Sequence, residues 1–225
     1  MKFLVLSDIH GNISVLKKLE NEFKNADAVL FAGDFCECFK PETSKPALDA
    51  LVKMHDEIYA VLGNCDEPEF IDELENAGIN AERVLNYTDG IAIVGSGGGS
   101  YFTGKTPNER TEDDLISDFK ILGEGEWPNL IMISHNPPKD TVCDAVNEKL
   151  HAGSQKFREL IEEKKPLAVV CGHIHEGCGI DKIGETVIIN PGSLSDGKYA
   201  VLETAVKDKK PQVVCAQLRS ISKTE

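Results

Sequence analysis

The chain lacks any apolar run long enough to cross a membrane. A spanning helix needs roughly 18 consecutive apolar residues, and no stretch of the sequence reaches that length. Near the start, Met1 and Lys2 lead directly into the short apolar run Phe3–Leu6, which is too brief for the core of a signal peptide. These absences argue against a membrane protein and a secreted one, and we expect a cytoplasmic protein.

Positive charge and an ordered cysteine pattern are also missing. Lysine and arginine number 24 against 38 aspartates and glutamates, for a net charge of −14 at pH 7. This balance argues against nucleic acid as a partner bound through a broad basic surface, but a bound metal could still attract an anionic substrate. The 7 cysteines are odd in number and irregularly spaced, so they indicate no disulfide framework. Cys36 and Cys38 have no suitably spaced second pair, and we interpret them as ordinary loop thiols.

A nucleotide-binding P-loop is absent as well. The glycine-rich stretch from Gly95 to Ser100 lacks the Lys-Ser/Thr ending that a P-loop requires. We interpret this stretch as a wall of the functional site, with a plain loop as the alternative. The following segment, from Tyr101 to Arg110, is expected to shape substrate choice. Lys105 and Arg110 are interpreted as solvated cations, with phosphate contacts as the alternative.

The hydrophobic pattern predicts alternating strands and helices. Predicted strands cover residues 2–7, 28–32, 57–62, 90–94, 130–134, 167–171, 179–183, 186–189, 199–202 and 212–218. Predicted helices cover residues 13–23, 46–55, 68–78, 111–122 and 154–164, the last capped by Ser154. A hairpin turn is predicted at residues 181–184. With 225 residues, no long linker and no internal repeat, the chain is predicted to form a single α/β domain over residues 1–225 with two packed sheets.

Polar residues that bind metals follow five of the predicted strands. These candidate ligands are Asp8, His10, Asp34, Asn64, His135, His173 and His175. Because functional groups in α/β sheets gather beyond the carboxyl ends of strands, we expect the loops that carry them to converge on one place. Imidazole, carboxylate and amide donors together are the ligand chemistry of a two-metal hydrolytic site.

This ordered set resembles the calcineurin-like metallophosphoesterase superfamily. The matching motifs are Asp8-x-His10, Gly33-Asp34, Gly63-Asn64-x-Asp66, His135 and Gly172-His173-x-His175. The later Asn190-Pro191-Gly192-Ser193 resembles the small bacterial and archaeal phosphodiesterases of that superfamily. The resemblance implies a four-layer α/β/β/α sandwich, in which two mixed sheets are flanked by helices.

The resemblance also implies how the ligands divide between two divalent ions. Asp8, His10 and His175 would bind one ion, and Asp34 would bridge to the second. The second ion would be bound by Asn64, His135 and His173. Histidine donors favour manganese, iron, nickel or zinc over magnesium, and the sequence leaves the choice among them open.

One position departs from the usual family pattern. Many members have a histidine between the asparagine and the acidic residue, where it protonates the leaving group, and here that position is Cys65. A thiol is a poorer proton donor than an imidazolium, and a small buried cysteine is the alternative interpretation. His151 is the second candidate for the acid, with an exposed loop histidine as its alternative. Asp66 is expected to orient Asn64 or a neighbouring group.

The expected function is hydrolysis of a small phosphate ester by a hydroxide that bridges two divalent ions, with a phosphodiester preferred to a monoester. One alternative is a protein-interaction scaffold similar to a retromer subunit, which need not keep the complete ligand set. The other alternative is a nuclease, which the acidic charge disfavours. The strand around 213–218 could cover the sheet or pair across a homo-oligomer, and the sequence leaves both open.

Overall fold

The computed structural model describes residues 1–102, 104–207 and 210–222, so Thr103 of the predicted site wall lies outside the described residues. Strands β1 to β15 are, in chain order, Lys2–Leu6, Ala28–Phe31, Ile58–Ala60, Asn86–Thr88, Ile91–Ser96, Gly99–Ser100, Glu109–Arg110, Leu130–Ser134, Ala145–Asn147, Leu150–His151, Ala168–Val170, Gly179–Ile183, Thr186–Asn190, Lys198–Lys207 and Lys210–Ser220. Helices α1 to α6 are Ser14–Lys18, Glu20–Lys24, Ser44–Leu51, Ile71–Asn76, Glu112–Ser117 and Gln155–Lys164.

Two large mixed sheets carry the fold. The first has the strand order β15-β14-β1-β2-β3, in which β1, β2 and β3 are parallel and β14 runs antiparallel to β1. The second has the order β12-β13-β11-β8-β5-β4, with β13, β11, β8 and β5 parallel. The parallel strands at the centre of each sheet have their carboxyl ends on the same side. The candidate ligands follow these strands in the sequence, so they lie on that side.

Alternating side chains of the strands form three hydrophobic layers. In β1, Leu4 points to a cluster shared with α1 and α2, whereas Phe3 points to a cluster shared with Ile131 of β8 in the other sheet. On the outer face of the second sheet, Met132 packs with Phe157 of α6. Such strands, buried on both faces, read as continuous apolar runs. The predicted four-layer α/β/β/α sandwich is therefore confirmed.

Several predicted elements differ in extent. The helix predicted over residues 13–23 is two short helices, because Leu19, at φ −101°, leaves helical geometry while its side chain stays buried. The helix predicted over 111–122 ends at Ser117, and a 3-10 turn, Lys120–Leu122, follows it. The predicted cap of α6 is confirmed, since the Ser154 side chain accepts a hydrogen bond from the Phe157 amide.

No strand or helix is predicted between residues 135 and 153, but the structure has regular elements there. They include a small hairpin formed by β9 and β10. The C-terminal strands are longer than predicted, and β15 lies at the edge of the first sheet, where it pairs with β14. Within the described ranges, none of the helices combines the length and the apolar character needed to cross a membrane.

Candidate metal centre

The loops that follow β1, β2, β3, β8 and β11 meet at one edge of the two sheets. Four of the candidate ligands have positive φ angles: Asp8 at 58°, His10 at 44°, Asp34 at 61° and His173 at 67°. Left-handed backbone is uncommon for residues other than glycine and concentrates where function requires a particular side-chain direction. The backbone at these loops is bent so that the polar side chains point to a common centre.

The first candidate ion group consists of Asp8, His10 and His175, whose ligand atoms lie within 4.8 Å of one another. The Nε2 atom of His175 is 3.2 Å from Asp8 Oδ1 and 3.3 Å from His10 Nε2. His10 Nδ1 lies 3.0 Å from the carbonyl oxygen of Cys36. A proton on Nδ1 that bonds this carbonyl leaves the Nε2 lone pair directed at the group, as in many histidine ligands.

Asp34 lies between this group and the other histidines. Its Oδ2 atom is 3.8 Å from His10 Nε2 and 3.4 Å from His135 Nε2. Its other oxygen, Oδ1, accepts a hydrogen bond of 2.8 Å from the Cys65 amide. One oxygen is thus fixed by the backbone, which leaves the second directed toward both sides of the centre.

The second candidate group has His135 at its centre. His135 Nε2 is 2.9 Å from Asn64 Oδ1, and its Nδ1 is 2.6 Å from the Ala32 carbonyl oxygen. The His173 ring lies 5.1 Å from the His135 ring, centroid to centroid. A Cβ atom at Gly99 would come within 3.1 Å of the Asn64 side chain and 3.5 Å of the His173 ring, so glycine allows the wall to approach the group closely.

The electrostatics of the centre suit a cation. Burial would raise the pKa of Asp8, but the hydrogen bond from His175 and the nearby imidazoles hold it well below its usual range. Burial opposes a charge on His135, yet the neighbouring Asp34 raises its pKa to about 9. Burial and repulsion by His135 lower the pKa of His173 to about 4. Protons on imidazoles therefore balance the buried carboxylates, and divalent ions would replace them, since metal binding requires neutral imidazole. The donor set fits manganese, iron, nickel or zinc.

Asp66 connects the loops after β2 and β3. It is fully buried and accepts hydrogen bonds from the amides of Phe35, Cys36 and Gly63 at 3.1, 2.9 and 2.8 Å. Burial, together with the charge of Asp34, raises the pKa of Asp66 to about 6. Asp66 therefore contacts the backbone around Asp34 and Asn64 rather than the Asn64 side-chain amide, and its positioning role stays a prediction.

One disulfide is present, although the cysteine pattern indicates no disulfide framework. Cys38 and Cys65 are joined by a disulfide bond across 27 residues. Cys65 is buried, as the alternative interpretation held, but in this state its sulfur has no proton to donate. Cys38 is likewise not a free loop thiol, whereas Cys36 is free. Cysteine spacing does not reveal the pair, because only the meeting of two loops brings the sulfurs together.

His151 belongs to neither ligand group. Its Nδ1 atom lies 2.7 Å from Oδ1 of the buried Asp144, and this hydrogen bond raises the pKa of His151. The ring lines a groove of about 350 Å³ with Ser100, Tyr101 and Lys139. Ser100 directly follows Gly99, so this groove adjoins the second ion group. The Oγ atom of Ser100 is buried without a hydrogen-bond partner among the described residues.

Several residues near the centre that sequence patterns did not single out make specific hydrogen bonds. The Asn108 side chain donates to the Gly63 carbonyl oxygen at 3.1 Å, and Glu82 accepts from the Leu62 amide at 2.7 Å. Arg110, expected to be solvated, instead binds Asp118 and the Gly97 carbonyl oxygen. No motif in the sequence indicates these contacts, because each joins residues from separate loops.

Comparisons with known proteins agree with this architecture. The family model described as calcineurin-like phosphoesterase matches residues 1–177. An uncharacterized protein of Methanocaldococcus jannaschii, MJ1162, is 35% identical over 211 residues, which cover 91% of this chain and 92% of that protein. The crystal structure of TT1561 of Thermus thermophilus has a TM-score of 0.73 at 20% identity, with coverage of 98% of this chain and 99% of that one. A dimetal phosphatase from Danio rerio has a TM-score of 0.62 at 11% identity, with 99% of both chains covered. These two structures share the fold.

Proposed function

This chain belongs to the calcineurin-like phosphoesterase family, and from that premise we propose that it is a dinuclear metal-dependent phosphodiesterase. The observation that carries the proposal is the position of Asp34 Oδ2, which is 3.8 Å from His10 on one side and 3.4 Å from His135 on the other. A carboxylate so placed can bridge two cations and reduce their mutual repulsion.

Two sets of residues at this centre would bind the two ions. Asp8, His10 and His175 would hold one divalent ion, and Asn64, His135 and His173 would hold the other. Ions at these positions would lower the pKa of a water and offset the charge that develops on the phosphoryl oxygens. Asp66 holds the backbone on which Asp34 and Asn64 lie, through its three amide hydrogen bonds. Asn64 contributes a neutral oxygen, which leaves the second ion the more electrophilic.

We assign protonation of the leaving group to His151. The hydrogen bond with Asp144 raises the pKa of His151, so its imidazolium persists toward neutral pH. The groove that it lines adjoins the second ion group through Ser100 and Gly99. Cys65 cannot donate a proton while it is joined to Cys38. A groove beside the ions, rather than a closed pocket, also suits the second ester substituent of a diester.

Ester hydrolysis with controlled metal content tests this function. Chelator-stripped protein is assayed on a generic phosphodiester and its matching monoester, with manganese, nickel, zinc and magnesium added back one at a time. We expect metal-restored cleavage that favours the diester and that is lost in Asp34→Asn. Restored cleavage of the monoester alone would contradict the diester assignment. Absence of turnover with every ion would contradict the proposed enzymatic function and would favour the alternative of a protein-interaction scaffold.

A further inference from the structure

The disulfide between Cys38 and Cys65 lies against the candidate metal centre. The two sulfurs and a ring nitrogen of His10 all lie within 4.8 Å of one another. Cys65 directly follows Asn64 in the chain, and its Sγ atom is 3.6 Å from the Asn64 amide nitrogen. Its own backbone amide donates to Asp34 Oδ1. The sulfur pair therefore contacts residues of both candidate ion groups.

The other described cysteines are not placed in this way. Cys36, only two residues before Cys38, is buried and donates its thiol to the Cys65 carbonyl oxygen at 2.8 Å. Cys143 and Cys171 are buried against the second sheet, and Cys178 and Cys215 are partly exposed and free. Among the described cysteines, only Cys38 and Cys65 combine a partner sulfur with a neighbouring imidazole.

We propose that Cys38 and Cys65 form a reversible redox pair whose reduced state supplies thiolate ligands to the ion at His10. The proposal rests on the proposed function only in placing a divalent ion at His10. Thiolate and imidazole together are preferred by soft and borderline ions such as zinc and cobalt. With zinc–sulfur bonds of about 2.3 Å and zinc–nitrogen bonds of about 2.0 Å, ligands of one ion lie roughly 3.5–4 Å apart. The observed grouping is compatible with this range once the sulfur–sulfur bond is opened.

The shared histidine fixes how many ions are involved. His10 Nδ1 is directed at the Cys36 carbonyl oxygen, so only Nε2 remains to bind metal. The group of Cys38, Cys65 and His10 and the group of Asp8, His10 and His175 are separate sets that share His10, so one ion would use His10 at a time and no third ion would be added. Reduction is expected to tighten the binding of soft ions at this position and to leave the number of bound ions unchanged.

The redox step is a thiol–disulfide exchange. One protein thiolate attacks a small-molecule disulfide and releases one thiol, and the second protein thiolate then displaces the other to close the bond between Cys38 and Cys65. The two protein sulfurs lose two electrons, which the small disulfide gains as it becomes two thiols. In the closed state neither sulfur carries the negative charge that makes a thiolate a strong ligand. The reverse exchange with a small dithiol restores the ligands.

Cobalt spectroscopy tests the proposal without relying on activity. Metal-free protein is either reduced with a dithiol or oxidised with a small-molecule disulfide, desalted, and then loaded with cobalt. We expect a near-ultraviolet thiolate-to-cobalt band in the reduced protein and its absence in the oxidised protein, with equal cobalt content. We also expect the reduced form to bind cobalt at least about tenfold more tightly at one site. Peptide mapping without reductant should recover the link between Cys38 and Cys65 in the oxidised sample only.

Matched variants separate the thiolate role from a loss of folding. Cys38→Ser keeps the buried Cys65 but removes one of the two thiolates, so the thiolate-to-cobalt band of the reduced variant should be about half as intense as in wild type, while Cys215→Ser should behave as wild type. Identical spectra of reduced and oxidised wild type, or both thiols free after oxidation, would overturn the proposal. Ester hydrolysis measured on the same samples reports on the proposed function separately. Loss of hydrolysis in every form would contradict that function, and the cobalt band would still decide the thiolate site.

Discussion

Two carboxylates organise loops around this site, and they do so in opposite environments. Asp66 is fully buried and connects the loops after two strands of the first sheet. Glu109 lies near the surface and accepts hydrogen bonds from the amides of Phe102, Gly104, Lys105 and Thr106, which belong to the loop before it. Burial raises the pKa of Asp66 to about 6. Partial burial would raise the pKa of Glu109, but the amide donors lower it to about 2.

This difference separates two regions. The ligand cradle is the set of loops that carry the candidate ligands. The outer wall consists of residues 100–110 and 145–151. In the cradle, Asp8, Asp34, Asn64 and His135 are buried, and the other candidate ligands are partly exposed. Wall side chains such as Tyr101 and Phe102 are 65% and 79% exposed. We expect the outer wall to determine which substrate is accepted and the cradle to supply the chemistry, because exposed loops on a fixed scaffold commonly carry specificity.

The largest effect is expected from Asp34→Asn in the cradle. The amide keeps the shape but loses the charge that holds two cations, so turnover should fall by about a thousandfold or more. The measurement is kcat with saturating manganese, beside the metal content of the purified variant. Asp113→Asn, a surface substitution on α5, is the matched control and should leave both values unchanged. Full turnover in Asp34→Asn would remove Asp34 from its bridging role.

Asp66→Asn should distinguish the two organising carboxylates. An asparagine presents one oxygen and an NH2 group to the three amide donors, so buried hydrogen bonds are lost and donors face each other. We expect a loss of about 3 kcal/mol in the free energy of unfolding, measured by urea denaturation. Glu109→Gln should cost much less and leave metal binding intact, while changing KM values. Equal effects of the two substitutions would contradict the division into cradle and wall.

Glu82 lies at the junction of cradle and wall, and it predicts a pH dependence. Burial, partly offset by the Leu62 amide, raises the pKa of Glu82 from 4.5 to about 7. Between these values the native state binds more protons than the unfolded state, so its contribution to stability is present below about pH 4.5 and is lost as the pH rises toward 7. The loss amounts to about 3 kcal/mol. Relative to wild type, Glu82→Gln should therefore gain stability between about pH 4.5 and pH 8, as urea midpoints would report. A constant difference across that range would show that Glu82 does not titrate there.

His151→Ala probes the outer wall and should have the smallest effect. Loss of the acid is expected to slow cleavage of esters with poor leaving groups by about tenfold or more, whereas esters with good leaving groups should be little affected. Metal content should equal that of wild type because His151 belongs to neither ion group. Equal rates on both classes of ester, with wild type as the reference, would remove His151 as the proton donor.

The same division explains how much could be predicted from sequence. The positions of Asp8, Asp34 and His135 were predictable because each comes within three residues of the end of a largely apolar strand, and the carboxyl ends of parallel strands meet on one side of a sheet. The disulfide between Cys38 and Cys65 was not predictable, since it depends on how two loops close. The contact of Arg110 was not predictable either. Arg110 lies in β7 and binds Asp118 at the C-terminal end of α5, whereas the sequence indicated a solvated side chain. Contacts between loops have no periodic signature in the chain.

Anomalous diffraction from crystals soaked in manganese tests the two-ion centre most directly. We predict two peaks about 3.5–4 Å apart, with Asp34 Oδ2 between them, Asp8, His10 and His175 around one, and Asn64, His135 and His173 around the other. A single peak, or peaks that do not contact Asp34, would contradict the account.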